Sequence, residues 1–229
     1  TNPILDRRRV AVLLHITSLP GSYGSGDFSH DAYRFVDFLA DAGFSVWQTL
    51  PLGHTHCDGS PYQCLSAHAG NPLLISLDWL ADRGWLDGPL AADSDTAEWR
   101  RRCLRLSFQN FQQRSGVTSR RNLAAFVTAH AHWLEDYALF IALRVALGRK
   151  PWRDWPQALR DREPTALYEA RIQHAAMISQ YQFEQWLFFT QWQELRRYAR
   201  DRGVFMYGDM PIFVAGDSAD VWAKRECFL

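Results

Sequence analysis

Apolar positions along the chain follow two different patterns, and the change between them is the first guide to the fold. Val10 to Ile16 (VAVLLHI) and Phe44 to Leu50 (FSVWQTL) are short, largely apolar runs with β-branched members. Such runs read as strands buried on both faces, as in a parallel sheet. Between them, Asp31 to Ala42 places Tyr33, Val36, Leu39 and Ala40 close to helical spacing, and Gly43 follows as a stop. Strand, helix and strand with short joints form a βα repeat, which predicts a parallel α/β fold. From Cys57 to about Gln193 the pattern turns to loops and helices, with helical stretches near Leu123 to Leu147 and Ala166 to Arg200. The first ends at Gly148 before a polar, Pro-punctuated connector from Arg149 to Pro164, and the second runs to Gly203. Val204 to Tyr207 then resumes the strand pattern. The chain divides accordingly into 1–56 with strands one and two, 57–200 as a mostly helical insertion, and 201–229 with strand three and its following turn.

Composition narrows the function classes. The 229 residues are 47% hydrophobic, enough to bury a sizeable core in one large domain or one domain carrying an insertion. Lys plus Arg equals Asp plus Glu at 25 each, so no global field draws the chain to nucleic acid or to an anionic membrane. No apolar run approaches the roughly 20 residues of a membrane span, and Thr1 to Arg9 lack the apolar centre of a signal peptide. Cys57, Cys64, Cys103 and Cys227 form no CxxC pair, so thiols in a reducing compartment, the cytoplasm, are expected. The aromatic content is 14%, with ten Trp. Rings of this kind either fill helical cores or stack on the C–H faces of sugars.

Several residues are placed where chemistry is done. Asp209 follows the third predicted strand, at the edge where parallel α/β folds gather site residues. A carboxylate there either binds substrate hydroxyls or holds its own turn. Asp217-Ser218 before Ala219-Asp-Val-Trp222 reads as a helix N-cap, which gives Asp217 and Asp220 a structural role. In Asp58-Gly-Ser60-Pro-Tyr62-Gln63, Pro61 stiffens a loop that presents Tyr62 for ring stacking. The turn Gly21 to Gly26 sits between strand and helix, but neither its glycine phase nor its surroundings match a nucleotide-binding loop. His54, His56, Cys57, Cys64 and His68 supply zinc-type ligands at a spacing that matches no defined motif. His15 is either a satisfied core histidine or a strand-end sugar ligand.

LLHITSLPGSYGSGDF (13–28), WQTLPLG (47–53), SPYQCLSAHAGNPLLISL (60–77), WLEDYALFIAL (133–143), QWLFFTQW (185–192) and GDMPIFVAGDSADVWA (208–223) together closely resemble the bacterial 4-alpha-glucanotransferases, or amylomaltases, of the α-amylase clan. These stretches span nearly the whole chain in family order. The resemblance implies the N-terminal part of a (β/α)8 TIM barrel with an α-helical insertion after strand two. It also implies a retaining transfer of α-1,4-glucan segments between maltooligosaccharides through a covalent glycosyl-enzyme, with no metal or organic cofactor. The family's nucleophile is an Asp on strand four within an Arg-Ile-Asp-His type sequence, and nothing here reads similarly. The chain is therefore expected to hold no catalytic residue, to be silent alone, and to need the rest of the barrel from a missing C-terminal part. Matched residue by residue, Ser60, Tyr62 and Asp209 are implied substrate-binding residues, with Gln63 and His15 as further candidates. Cys57 stands where relatives often carry a Tyr, which removes the expected basis for a secondary stacking site, and His54 and His56 replace commoner loop residues. Alternatives are a non-catalytic α-glucan-binding fragment or module, a zinc hydrolase using the His/Cys loop, and an α-glucan hydrolase. Three strands alone would leave two open apolar edges.

Overall fold

A computed structural model describes residues 7–21, 23–87 and 96–228. Residues 1–6 of the segment read for a leader, Ser22 of the glycine turn and the final Leu229 lie outside the described residues. Three strands, β1 (Ala11–Leu13), β2 (Val46–Gln48) and β3 (Phe205–Tyr207), pair in parallel in the order β1-β2-β3. Val46 lies opposite Ala11 on one side and Phe205 on the other. The helices in chain order are α1 (His30–Asp41), α2 (Leu77–Asp82), α3 (Thr96–Arg114), α4 (Val117–Ala129), α5 (Ala131–Ala146), α6 (Gln157–Arg160), α7 (Pro164–Gln173), α8 (Ala175–Asp201) and α9 (Ala219–Ala223). Parallel strands joined through helices make this an α/β fold.

The first βα repeat forms as its pattern predicts. α1 buries Ala32, Val36 and Leu39, and Gly43 at φ +80° ends it in a conformation that costs a glycine little. β1 differs from expectation. It is shorter than the apolar run and is not buried on both faces, since Val10 and Leu13 are 59% and 55% exposed. β2 has a strand on each side and buries Val46 and Trp47, whereas β1 and β3 each pair with one strand among the described residues. The apolar run thus encodes a two-sided cover that only β2 receives here.

The chain packs as two compact units. One comprises Thr1–Leu52, Asn71–Ser115 and Leu187–Met210 and holds the sheet, α1, α2 and α3. Trp47, fully buried, donates from Nε1 to Leu14 O at 2.8 Å and meets Phe35 edge-on at 4.9 Å. In the same unit, Arg100 and Asp27 form an ion pair at 2.7 Å with both side chains only 3% exposed. Arg100 also donates to Ile75 O at 2.7 Å.

The other unit comprises Gly53–Gly70, Gly116–Trp186 and Pro211–Leu229. Its centre is α5, buried continuously from Tyr137 to Leu143. Phe140, Trp155 and Trp222 form an aromatic cluster with ring separations of 5.4, 5.5 and 5.9 Å, and Trp222 Nε1 donates to Leu159 O at 3.1 Å. The segment 149–164, expected as a polar connector, instead buries Trp152 and Trp155 around α6 and a 3-10 turn at Trp152–Asp154. Each of the two long helical stretches is also broken once, at His130 between α4 and α5 and at His174 between α7 and α8. None of the ten Trp is exposed: Trp79 and Trp192 are half-buried and the others buried, so the Trp content serves packing.

Candidate functional site

In a parallel sheet the carboxyl ends of the strands share one rim. Here the ladder continues past the strands through Leu14 N to Gln48 O at 3.0 Å and Thr49 N to Tyr207 O at 2.9 Å. His15 and Asp209 therefore leave the same edge of the same sheet. Asp209 is exposed, and one of its carboxylate oxygens accepts from Met210 N at 2.8 Å. A carboxylate carries more acceptor sites than one amide uses. Turn-holding and ligand-binding are thus compatible at Asp209.

His15 is half-buried and caps the short 3-10 turn Ile16–Ser18, with Nδ1 accepting from Thr17 N at 3.3 Å and lying 2.6 Å from Thr17 Oγ1. An acceptor role at Nδ1 leaves the proton on Nε2, which points at Pro51 O at 3.3 Å. Burial pushes the His15 pKa down, with the Pro51 carbonyl opposing it, so the neutral ring is favoured. Both ring nitrogens serve the rim itself.

Ser60, Tyr62 and Gln63 come together at the end of the excursion 53–70 in the second unit. Antiparallel bridges Gly53↔Gly70 and Thr55↔Cys64 zip its base. His56 N donates to Gln63 O at 3.1 Å, Gln63 N to Ser60 O at 3.2 Å, and Ser60 N to Asp58 Oδ1 at 3.2 Å, which folds the tip on itself. Gly53 permits the close zip, because a Cβ there would lie 2.6 Å from Cys64 Sγ. With the backbone committed inward, Tyr62 is 46% exposed and Gln63 is exposed, while Ser60 is half-buried. The tip thus displays an exposed ring at Tyr62 beside an exposed Gln63 in the chain.

The remaining sequence candidates take structural places. In the glycine turn, a Cβ on Gly21 would collide with Ser25 O and one on Gly26 with Ile16 O, so these glycines allow close backbone approach. Ser218 caps α9 by accepting from Val221 N, as its position predicts. The zinc-type residues diverge to separate partners. His54 Nδ1 lies 2.7 Å from Tyr137 Oη, Cys64 Sγ donates to Pro61 O at 3.2 Å, and His68 stacks on Trp133 at 5.8 Å. Among the described residues no three His, Cys, Asp or Glu side chains gather as a metal site would require. Nor is any helix among them long and apolar enough to cross a membrane. All four cysteines are unpaired.

Two residues that motif reading did not single out organise the excursion from below. Gln185 on α8, fully buried, accepts from Gly70 N at 2.8 Å and donates to Gly70 O at 2.9 Å. Its Nε2 also lies 3.3 Å from the Oη of buried Tyr137. Gln185 stands among other polar residues of α8, including Gln182, Glu184 and Gln191, so nothing in the sequence marked it as the buried amide that needs partners.

A family profile described as 4-alpha-glucanotransferase, glycoside hydrolase family 77, matches residues 14–229. The chain belongs to this family. It is 46% identical over 228 residues to the 4-alpha-glucanotransferase of Thermus thermophilus, covering 96% of this chain and 46% of that protein. With the Synechocystis 4-alpha-glucanotransferase it shares 43% identity over 236 residues, covering 98% of this chain and 47% of that protein. An amylomaltase from Streptococcus agalactiae, solved in complex with acarbose, superposes with a TM-score of 0.88 at 38% identity, covering 96% of this chain and 47% of that one. The chain thus spans about half the length of the family 77 relatives it matches. SPYQ and GDMPIFVAGDSADVWA, the stretches that frame the rim and the excursion, both fall inside the matched range.

Proposed function

We propose that this chain is the N-terminal portion of a 4-alpha-glucanotransferase that moves α-1,4-glucan segments between maltooligosaccharides. The observation that carries the reading is the family match across 14–229 at close to half the relatives' length. On this reading β1, β2 and β3 are the first three strands of a (β/α)8 barrel, and 57–200 is mostly helical insertion after strand two. The parallel order β1-β2-β3 and the acarbose-bound amylomaltase with the same fold support it.

The chemistry follows the retaining route. A carboxylate attacks the anomeric carbon as the glycosidic bond breaks, and a second carboxyl gives its proton to the leaving oxygen. An acceptor hydroxyl, losing its proton to that second carboxylate, then displaces the enzyme from the same carbon. Both carboxylates belong to strands beyond the third. This chain contributes Tyr62 as a stacking ring, Ser60 and Gln63 as polar neighbours, and Asp209 as an acceptor for glucose hydroxyls, with His15 bracing the rim.

The test is disproportionation of maltotriose. The chain alone is expected to give no ladder of longer products. In the complete enzyme, Tyr62→Ala and Asp209→Ala should each lower kcat/KM on the order of ten- to a hundredfold, the value of a lost stacking or charged hydrogen bond. Their melting temperatures should stay near the parent's, because both side chains are exposed. A product ladder from the chain by itself, or unchanged kinetics in both variants, overturns the proposal.

A further inference from the structure

Four successive backbone amides, Ala67 to Gly70, belong to no helix or strand, and each donates to a side chain. Ala67 N donates to Asp220 Oδ2 at 2.8 Å, His68 N to Ser66 Oγ at 3.1 Å, Ala69 N to the same Oγ at 3.3 Å, and Gly70 N to Gln185 Oε1 at 2.8 Å. Backbone donors at such a site are normally satisfied, so these acceptors hold one particular path of the chain. Ser66 is local and Gln185 lies beneath. Gln185 and Asp220 both reach the tract from other elements, α8 and the first turn of α9, and Asp220 is the charged acceptor of the two.

Asp220 does not act alone there. Ala219 N donates to Leu65 O at 2.9 Å, so two consecutive residues of α9 grip two residues of the excursion just past Tyr62. His68 Nε2 stands 4.0 Å from Asp220 Oδ1, which leaves the carboxylate directed at the same short segment. The chain entering α9 is fixed as well, since Asp217 accepts from Arg144 and from Trp152 N at 3.1 Å, and within α9 Trp222 is fully buried. The grip therefore belongs to a rigid element, which is what a precise binding loop needs.

We propose that Asp220 is a positioning residue for the glucan-binding loop: through the Ala67 amide it locks the return arm of the excursion and so fixes where Ser60, Tyr62 and Gln63 are displayed. Its own helix is capped by Ser218, so the carboxylate of Asp220 is available for this second task. The inference rests on the reading of that loop as a glucan-binding element, and the experiment separates the two.

Amide hydrogen exchange across 58–70 and the dissociation constant for maltoheptaose are measured on the full 229-residue chain and on Asp220→Ala, Asp220→Asn and Tyr62→Ala. Asp220→Ala is expected to speed exchange at Ala67 and through the tip by about tenfold or more and to weaken maltoheptaose by about tenfold, the scale of one lost hydrogen bond to a charged acceptor. Asp220→Asn keeps an oxygen for the Ala67 amide and should stay within about threefold of the parent in both readouts. Exchange in α5 should be the same in all variants, which distinguishes loop release from unfolding. Parent-like exchange in Asp220→Ala overturns the anchor, as does an Asn variant as defective as the Ala one. If Tyr62→Ala binds maltoheptaose like the parent while Asp220→Ala still releases the loop, the glucan reading fails and the anchor stands.

Discussion

A carboxylate and a guanidinium with 3% exposure each, as at Asp27 and Arg100, stake a local structure on one contact. Burial pushes the Asp27 pKa up, and Arg100 pulls against it. The pair is assisted by Ser29 N donating to Asp27 Oδ1 at 2.9 Å and by Ile75 O accepting from Arg100. Arg100 Nε and Nη1 are nevertheless buried without a hydrogen-bond partner, so the guanidinium depends heavily on Asp27 for compensation. Asp27→Ala leaves that charge uncompensated and should destabilise the fold by about 3–5 kcal/mol, whereas Asp27→Asn, which keeps an acceptor, should cost less. Urea unfolding monitored by Trp fluorescence reads the difference, and equal midpoints for the two variants would show that Arg100 is compensated by other means. Asp209 lies at the opposite extreme. It is exposed and accepts from Met210 N in its own turn, and its replacement is expected to register mainly in glucan affinity.

Elements are held to one another by a repeated device on α8. Gln185 brackets the peptide groups of Gly70, and Gln191 does the same to Ser76, accepting from its N at 2.7 Å and lying 3.4 Å from its O. A primary amide supplies a donor and an acceptor side by side, so it can pair with both peptide groups of one residue as a neighbouring strand would. Gln185→Leu preserves bulk but orphans both polar groups of Gly70 and should cost about 2–4 kcal/mol, from two unsatisfied buried groups at ~1–3 kcal/mol each, softened by relaxation. A melting temperature within a degree of the parent's would count against the bracket. Such devices mark the limit of what the sequence displays. The βα repeat was legible because a short continuous apolar run differs from apolar positions at helical spacing, and α1 appears within a residue of its expected bounds. Ser60, Tyr62 and Asp209 are proposed as substrate contacts from family motifs, and the structure leaves Tyr62 and Asp209 exposed and Ser60 half-buried. The brackets were not legible, because Gln185, Gln191 and Asp220 meet partners more than a hundred positions away, and no local period records that. β1 misled for a related reason, since an apolar run states what a strand is suited to meet and the described residues bring only one neighbour.

At the scale of the molecule, titration adds over both units, and the histidines fix its sign. His15, His56 and His130 all have pKa values lowered from 6.5, in each case with burial as the leading cause; Arg144 adds to it at His56 and His132 at His130. In the folded chain these rings favour the neutral form, while in the unfolded chain they protonate near 6.5. Between the folded values and 6.5 the unfolded state binds more protons, so stability rises with pH across that window and is lost on acidification through it. Two carboxyls act elsewhere on the scale. Asp161, depressed to about 2 chiefly by its hydrogen bond from Arg160, gives support that fades only toward that pH. Asp27, raised by burial, contributes in the opposite sense, with stability that is full below 3.8 and lost as pH climbs through its folded value. A melting temperature that falls steadily from pH 7 to pH 5 is therefore expected, and replacing all three histidines by Asn should flatten that slope. His15→Asn tests one share separately, because Asn retains an acceptor for Thr17 N and so removes the titration while leaving the cap of the 3-10 turn. An identical slope in parent and triple variant would show that these three histidines do not carry the acid sensitivity.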